Sequence, residues 1–379
     1  MSSDVVALTD KKKFLSLDME VLYQNSVLIT IFVIYTGIGS IFLWSKDLFQ
    51  YADFTLYKTI FFWIFSFLLF AKLLTYLVKN SIREGYCFLK TDRLFNDLKV
   101  NWLDANVIIA VTVPFFLNSV LLSFFGSIKS LIQFINPYYL DQPLVSLDRF
   151  IHFGFNPWEI THALFGSVAA TVAIDLMYQL WFVALMGYTS WMILNYKLGV
   201  TRAKFLVCYV LTWTILGSVL AVMLAAVGPC FYEPILGSSG VYEPLMSRLH
   251  EISEIRKGWD GDHGLYAMKN QATVVGYFTD NTIGIGSGIT AMPSMHVSFA
   301  MLLFLSTREL NKKAGYITLI YLFFVQVGSV HLGWHYAVDG YISMILTWIL
   351  WRLSGWIVNR YQRSNFLSQL LRPLSCASK

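Results

Sequence analysis

Eight stretches of this chain read as apolar spans, and that pattern restricts the fold more than any other feature. A bilayer asks a helix for about 20 predominantly apolar residues. Within it, every backbone N–H and C=O needs an internal partner, so helices or closed barrels are the spanning structures. The stretches fall at 26–44, 57–78, 105–127, 167–194, 203–227, 292–306, 315–330 and 336–358. A composition of 56% hydrophobic and 13% charged residues lies outside the range of ordinary soluble domains. We therefore expect an all-α, polytopic membrane helix bundle of about eight spans. Its expected layout is a cytoplasmic segment at 1–25, a membrane domain at 26–358 with a catalytic core at about 203–358, and a basic tail at 359–379. The run Lys11, Lys12, Lys13 precedes the first stretch without a small-x-small cleavage pattern, which reads as an uncleaved span.

Loop charge sets the expected orientation. With the N-terminus inside, inside segments hold Lys11 to Lys13, Lys79, Arg83, Lys90, Arg93, Lys99, Lys197, Arg202, Lys204, Arg308, Lys312, Lys313, Arg352, Arg360, Arg363, Arg372 and Lys379. Outside loops keep Lys46, Lys129, Arg149, Arg248, Arg256, Lys257 and Lys269, mostly in two long loops where the rule is weak. The net charge of +5 thus follows from topology, and no nucleic-acid motif is present. A long semi-polar segment at 128–166 reads as interfacial or re-entrant helices on the outer face. A second long connection, 228–290, ends in the glycines Gly284, Gly286 and Gly288, with no Gly-Lys-Ser/Thr to make a nucleotide loop. For Asp175, in the fourth span, a polar cavity with Tyr178 and Gln179 and a helix–helix hydrogen bond are both open readings.

Two short segments carry the chemistry. The first, AMPSMHVSFA, holds Pro293, Ser294 and His296; the second, GSVHLGWHYAVDG, holds His331, His335 and Asp339. His335 and Asp339 are four apart, so on a helix they share a face, and the carboxylate accepts the Nδ1 proton of the imidazole. Nε2 is then free to act as nucleophile or base. A Pro-Ser step opens a helix well, and free amides at its start attract an oxyanion. The set suits phosphoryl transfer, in which positioning and charge stabilisation supply most of the catalysis.

PSMH followed by HYAVD resembles the second and third motifs of the type 2 phosphatidic acid phosphatase (PAP2) superfamily, usually written PSGH and SR-x5-H-x3-D. It is most similar to the branch holding bacterial membrane phosphatases and inositol phosphorylceramide synthases. The resemblance implies that His335 becomes phosphohistidine, Asp339 orients it, His296 protonates the leaving oxygen, and Ser294 helps bind phosphate. His331 is expected either to donate to phosphate from nearby or to serve as polar lining. The resemblance also implies independence of metals, and no cofactor is expected. The loop charges put His296 and His335 at the outer ends of their helices, on the extracytoplasmic side of the cell membrane, where a nucleophile at a helix mouth in a lipid-buried scaffold is expected to meet a lipid phosphate. Asp148, Phe153, Gly154 and Pro157 loosely match a D-plus-FG-x-x-P pattern of the same branch. Two features depart from the family. Ser329 stands where an arginine is expected, and VGPCFYEPILG at 227–237 replaces the K-x6-RP motif. Arg248, Arg256, Lys257 and Lys269 are candidates for the missing cation.

Three other readings compete. As metal ligands, His331, His335 and Asp339 lack a further carboxylate or histidine at close spacing. A transporter using His and Asp as a proton relay predicts internal repeats and residues at mid-membrane. A relative that only binds lipid phosphate fits the two missing basic motifs.

Overall fold

The computed structural model describes residues 19–84, 94–95, 98, 104–237, 240–260 and 263–363. Lys11 to Lys13, Lys90, Arg93, Lys99, Arg372 and Lys379, which carry part of the expected inside charge, lie outside the described residues. Regular structure among the described residues is helical. In chain order the principal helices are α1 (Met19–Ser45), α2 (Lys58–Glu84), α3 (Ala105–Ile135), α4 (Asp141–Ile151), α5 (Pro157–Phe165) and α6 (Val168–Leu194). They continue with α7 (Gly199–Leu211), α8 (Glu243–Asp260), α9 (Tyr266–Thr279), α10 (Met295–Leu310), α11 (Lys312–His331) and α12 (Ala337–Arg363).

Seven helices among the described residues are long and apolar enough to cross a membrane: α1, α2, α3, α6, α7 with its continuation to Met223, α11 and α12. The remaining expected span, 292–306, is α10, and it has only 16 residues. At 1.5 Å per residue it reaches about 24 Å, short of a hydrocarbon core of about 30 Å. Side chains set its ends. Ser294 Oγ accepts from the Val297 amide at 3.4 Å, and Asn311 Oδ1 accepts from Lys313 and Ala314, opening α11 at once. Instead of facing lipid, α10 is enclosed by α7, α11 and α12, with Val297, Phe299, Ala300 and Leu302 almost fully buried.

Around this central helix, hydroxyl groups fasten neighbouring segments. Ser123 of α3 accepts from the Tyr57 amide at 3.0 Å, and Ser127 accepts from the Asp53 amide at 2.8 Å. Ser130, one turn further, is hydrogen-bonded to Ser287 at 2.6 Å. Helix α7 widens into π geometry over Thr212–Leu220, where Gly217 lies against Phe125 and Met295.

The semi-polar segment after α3 forms α4 and α5, and the connection 228–290 folds into α8 and α9. Asp175 settles as an interhelix bond. It pairs with Arg256 at 3.2 Å and accepts from the Tyr266 and Ala267 amides, so α8 and α9 are held on α6.

Candidate active site

The two histidine segments meet. Gly333, at φ +75°, ends α11 in a turn, and His335 lies in that turn before α12 starts at Ala337. The expectation that His335 and Asp339 share a helical face is corrected here, because the helix begins after the histidine. Asp339 instead occupies the first turn of α12 and reaches back. Its Oδ2 accepts from the Tyr336 amide at 3.0 Å, a reciprocal cap of the helix start. The same oxygen stands 3.5 Å from His335 Nδ1.

A closer partner holds the imidazole. His335 Nδ1 lies 2.8 Å from the carbonyl oxygen of Ala291. A carbonyl can only accept, so Nδ1 carries the proton and Nε2 of the neutral ring keeps its lone pair. The Ala291 amide in turn donates to Ala226 at 2.8 Å. The residue that fixes the tautomer therefore belongs to the other motif segment.

His296, in the first turn of α10, has its ring centroid 6.0 Å from that of His335. It lies between Tyr178, at 4.7 Å and nearly parallel, and Trp181, at 4.1 Å. Trp181 Nε1 also donates to the His296 carbonyl at 3.0 Å, so ring and backbone are both held by α6. Neither ring nitrogen of His296 bonds to a described side chain, and both histidines line one chamber of about 550 Å³. Its lining also includes the polar Gln179, Asn270 and Thr273 and the apolar Ile60, Leu122, Phe125, Phe182, Leu185 and Met186.

The other expected residues lie elsewhere. Ser294 is fully buried as the cap of α10 and is not among the lining residues. His331 is fully buried on the far side of the turn. Its Nε2 bonds to Thr171 at 3.0 Å, its Nδ1 lies 3.3 Å from Thr161, and its ring stacks on His162 at 3.9 Å. It does not line the chamber with His296 and His335. Among the described residues, no group of three or more His, Cys, Asp or Glu converges as a metal site. Of the four candidate cations, Arg256 is committed to Asp175, Arg248 to Glu251, Lys257 to Glu254, and Lys269 is exposed on α9.

Helix α4 supplies a support that the motifs do not reveal. Asp141 and Asp148 are seven residues apart, hence on one face. Asp148 accepts from the Ala337 amide at 2.8 Å and from Val338 at 2.9 Å, anchoring the start of α12. Asp141 accepts from the Val227 and Gly228 amides at 3.0 Å and from the Tyr336 hydroxyl at 2.8 Å. Burial pushes the Asp148 carboxyl up to about 6, with the Asp339 charge adding to the rise and the two amides and His152 opposing it. The loose D-plus-FG-x-x-P pattern did contain Asp148; nothing in the pattern pointed to Asp141.

Neither a curated protein nor a solved structure matches this chain. A family model described as PAP2 superfamily matches residues 142–353, more than half of the chain and both histidine segments. The membrane-spanning helices, the paired histidines and this match together identify the chain as a polytopic member of the PAP2 superfamily, whose function is in general phosphatase-like.

Proposed function

We propose that this protein cleaves a lipid phosphate ester, or transfers its phosphoryl-linked group, at the extracytoplasmic face through a phosphohistidine on His335. The observation that carries this reading is the free Nε2 of His335, its Nδ1 proton tied to Ala291, in one chamber with the unpartnered ring of His296 at 6.0 Å between centroids. Nε2 attacks phosphorus, and the bond to the leaving oxygen breaks as His296 delivers a proton to it. The phosphorylated ring is cationic. It keeps its Nδ1–H on the Ala291 carbonyl, and the Asp339 carboxylate 3.5 Å away offsets the charge. In the second half-reaction neutral His296 takes a proton from water or an alcohol, whose oxygen displaces Nε2. Water gives a phosphatase and an alcohol a headgroup transferase.

The free N–H groups of the first turn of α10 and the chamber's hydroxyl and amide groups favour an anion there. The apolar lining residues, Leu122, Phe125 and Met186 among them, favour a substrate with a hydrocarbon chain. For the side of action, the support is charge. His296 opens α10, whereas Arg308, Lys312 and Lys313 cluster at its other end, the end that the positive-inside rule assigns to the cytoplasm.

The test is a panel of lipid phosphates offered to the purified protein with and without an alcohol acceptor, with rapid quench of labelled phosphate. Acid-labile label on wild type but not on His335→Ala is the expected result. Label that persists on His335→Ala would remove the assignment. For the side, a cysteine at Gly286 in a chain lacking Cys230 should react with an impermeant thiol reagent from outside. One at Asn311 should not.

A further inference from the structure

The chamber holds a cation that no motif predicts. We propose that Lys129 of α3 binds a non-bridging oxygen of the substrate's phosphoryl group, in the place left by the arginine and lysine that the family motifs would supply; this rests on the phosphohistidine reading above.

Three observations converge on it. Lys129 lines the same chamber as His296 and His335 and is close enough to His296 to interact with it electrostatically. Among the described lining residues it is the one lysine or arginine, and no carboxylate lines the chamber to neutralise it. Its ammonium makes no hydrogen bond or ion pair with a described residue, although the side chain is partly buried. A cation withdrawn from water without a partner is costly, and a bound phosphoryl oxygen removes that cost.

The backbone around Lys129 is fixed relative to the histidine segment. Gly288, at φ +83°, packs directly on the Lys129 carbonyl, and Ser130 is bonded to Ser287. The loop from Gly284 to Ser294 therefore carries the reference position of His296 back to α3. A lysine suits this place because its flexible stem brings a point charge to phosphate without requiring the planar fork of arginine.

The experiment uses the full chain in detergent and reads orthovanadate binding through the fluorescence of Trp181, Trp213 and Trp334, which line the chamber. Orthovanadate is a phosphate mimic, and the readout does not require turnover. Lys129→Met keeps the bulk of the side chain and removes its charge. It should weaken binding on the order of 10–100-fold, the size of a lost charge-assisted hydrogen bond. Lys129→Cys should be equally weak, and alkylation with 2-bromoethylamine, which restores an ammonium at that position, should recover binding. Wild type treated with the same reagent is the control. Because untreated and treated Lys129→Cys come from one preparation, misfolding cannot imitate recovery. If Lys129→Met and Lys129→Cys bind orthovanadate within about threefold of wild type while His335→Ala abolishes turnover, Lys129 is not the clamp and the mechanism stands. If wild type does not bind orthovanadate, both readings fail.

Discussion

The Nδ1 proton of His335 belongs to the carbonyl oxygen of Ala291, at 2.8 Å, and only secondarily to Asp339, at 3.5 Å. Where an aspartate alone fixes a histidine's tautomer, its replacement by asparagine costs about 10⁴-fold. Here a backbone carbonyl already fixes it. Asp339→Asn should therefore lose only about 10–10²-fold in kcat/KM, and the loss should sit in formation of the cationic phosphohistidine, measurable by rapid quench. A loss near 10⁴-fold would mean that Asp339, not Ala291, holds the ring.

His296→Ala removes the proton donor but not the nucleophile. It should lower turnover of alkyl phosphates by about 10²–10⁴-fold. Turnover of p-nitrophenyl phosphate, whose leaving group needs little protonation, should recover appreciably. Steady-state rates across a series of leaving groups test this. A His296→Ala defect independent of the leaving group's pKa would reassign the acid.

The carboxyl of Asp148 titrates in the folded protein at about 6, above its ordinary 3.8. The native state thus binds this proton more tightly than the unfolded chain does. The associated stability is present below about pH 4 and is lost as pH rises through about 6, a span worth up to about 3 kcal/mol. Asp148→Asn has no such titration. The melting temperature of wild type relative to Asp148→Asn should therefore be highest near pH 4 and fall as pH rises to about 7. Thermal unfolding in detergent at several pH values checks the sign; a relative value that rises with pH would contradict it.

Gly286 and Gly288 both have positive φ, at +80° and +83°, but their surroundings differ. A Cβ on Gly286 meets nothing within 4 Å, whereas one on Gly288 would lie 2.6 Å from the backbone of Lys129 and Ser130. Gly286→Ala should cost about 1–2 kcal/mol for the left-handed backbone alone. Gly288→Ala should cost clearly more and should also depress activity, because the loop leading to His296 must lift off α3. Thermal stability and turnover of the two variants, measured in parallel, make the comparison.

Long apolar runs made most of the membrane helices legible, since bilayer thickness acts on any sequence alike. Helix α10 was less so, because its length follows from the caps Ser294 and Asn311 and its surroundings are protein on all sides. His296 and His335 were legible because their neighbours in sequence resemble a known pair of motifs. The phosphate-binding role expected of Ser294 comes from the same resemblance, and that of His331 from its place four residues before His335. A turn at Gly333 and the start of α10 point those side chains into packing instead. Lys129, Asp141 and the Ala291 carbonyl stayed hidden for a different reason. Each matters only through a partner brought near by folding, and nothing in the local pattern marks it.

The two aspartates of α4 also bear on how far this protein can be shortened. One 11-residue helix grips both the segment following α7 and the first turn of α12. A fragment beginning at 203 would contain both histidines yet lack every side chain that α4 and α6 place around them. Even the region matched by the family model begins at 142, one residue after Asp141. Excision at either boundary would leave the Val227 and Gly228 amides and the Tyr336 hydroxyl with no acceptor. A working fragment thus has to begin before Asp141, because α4 belongs with the two histidine segments that it holds in place.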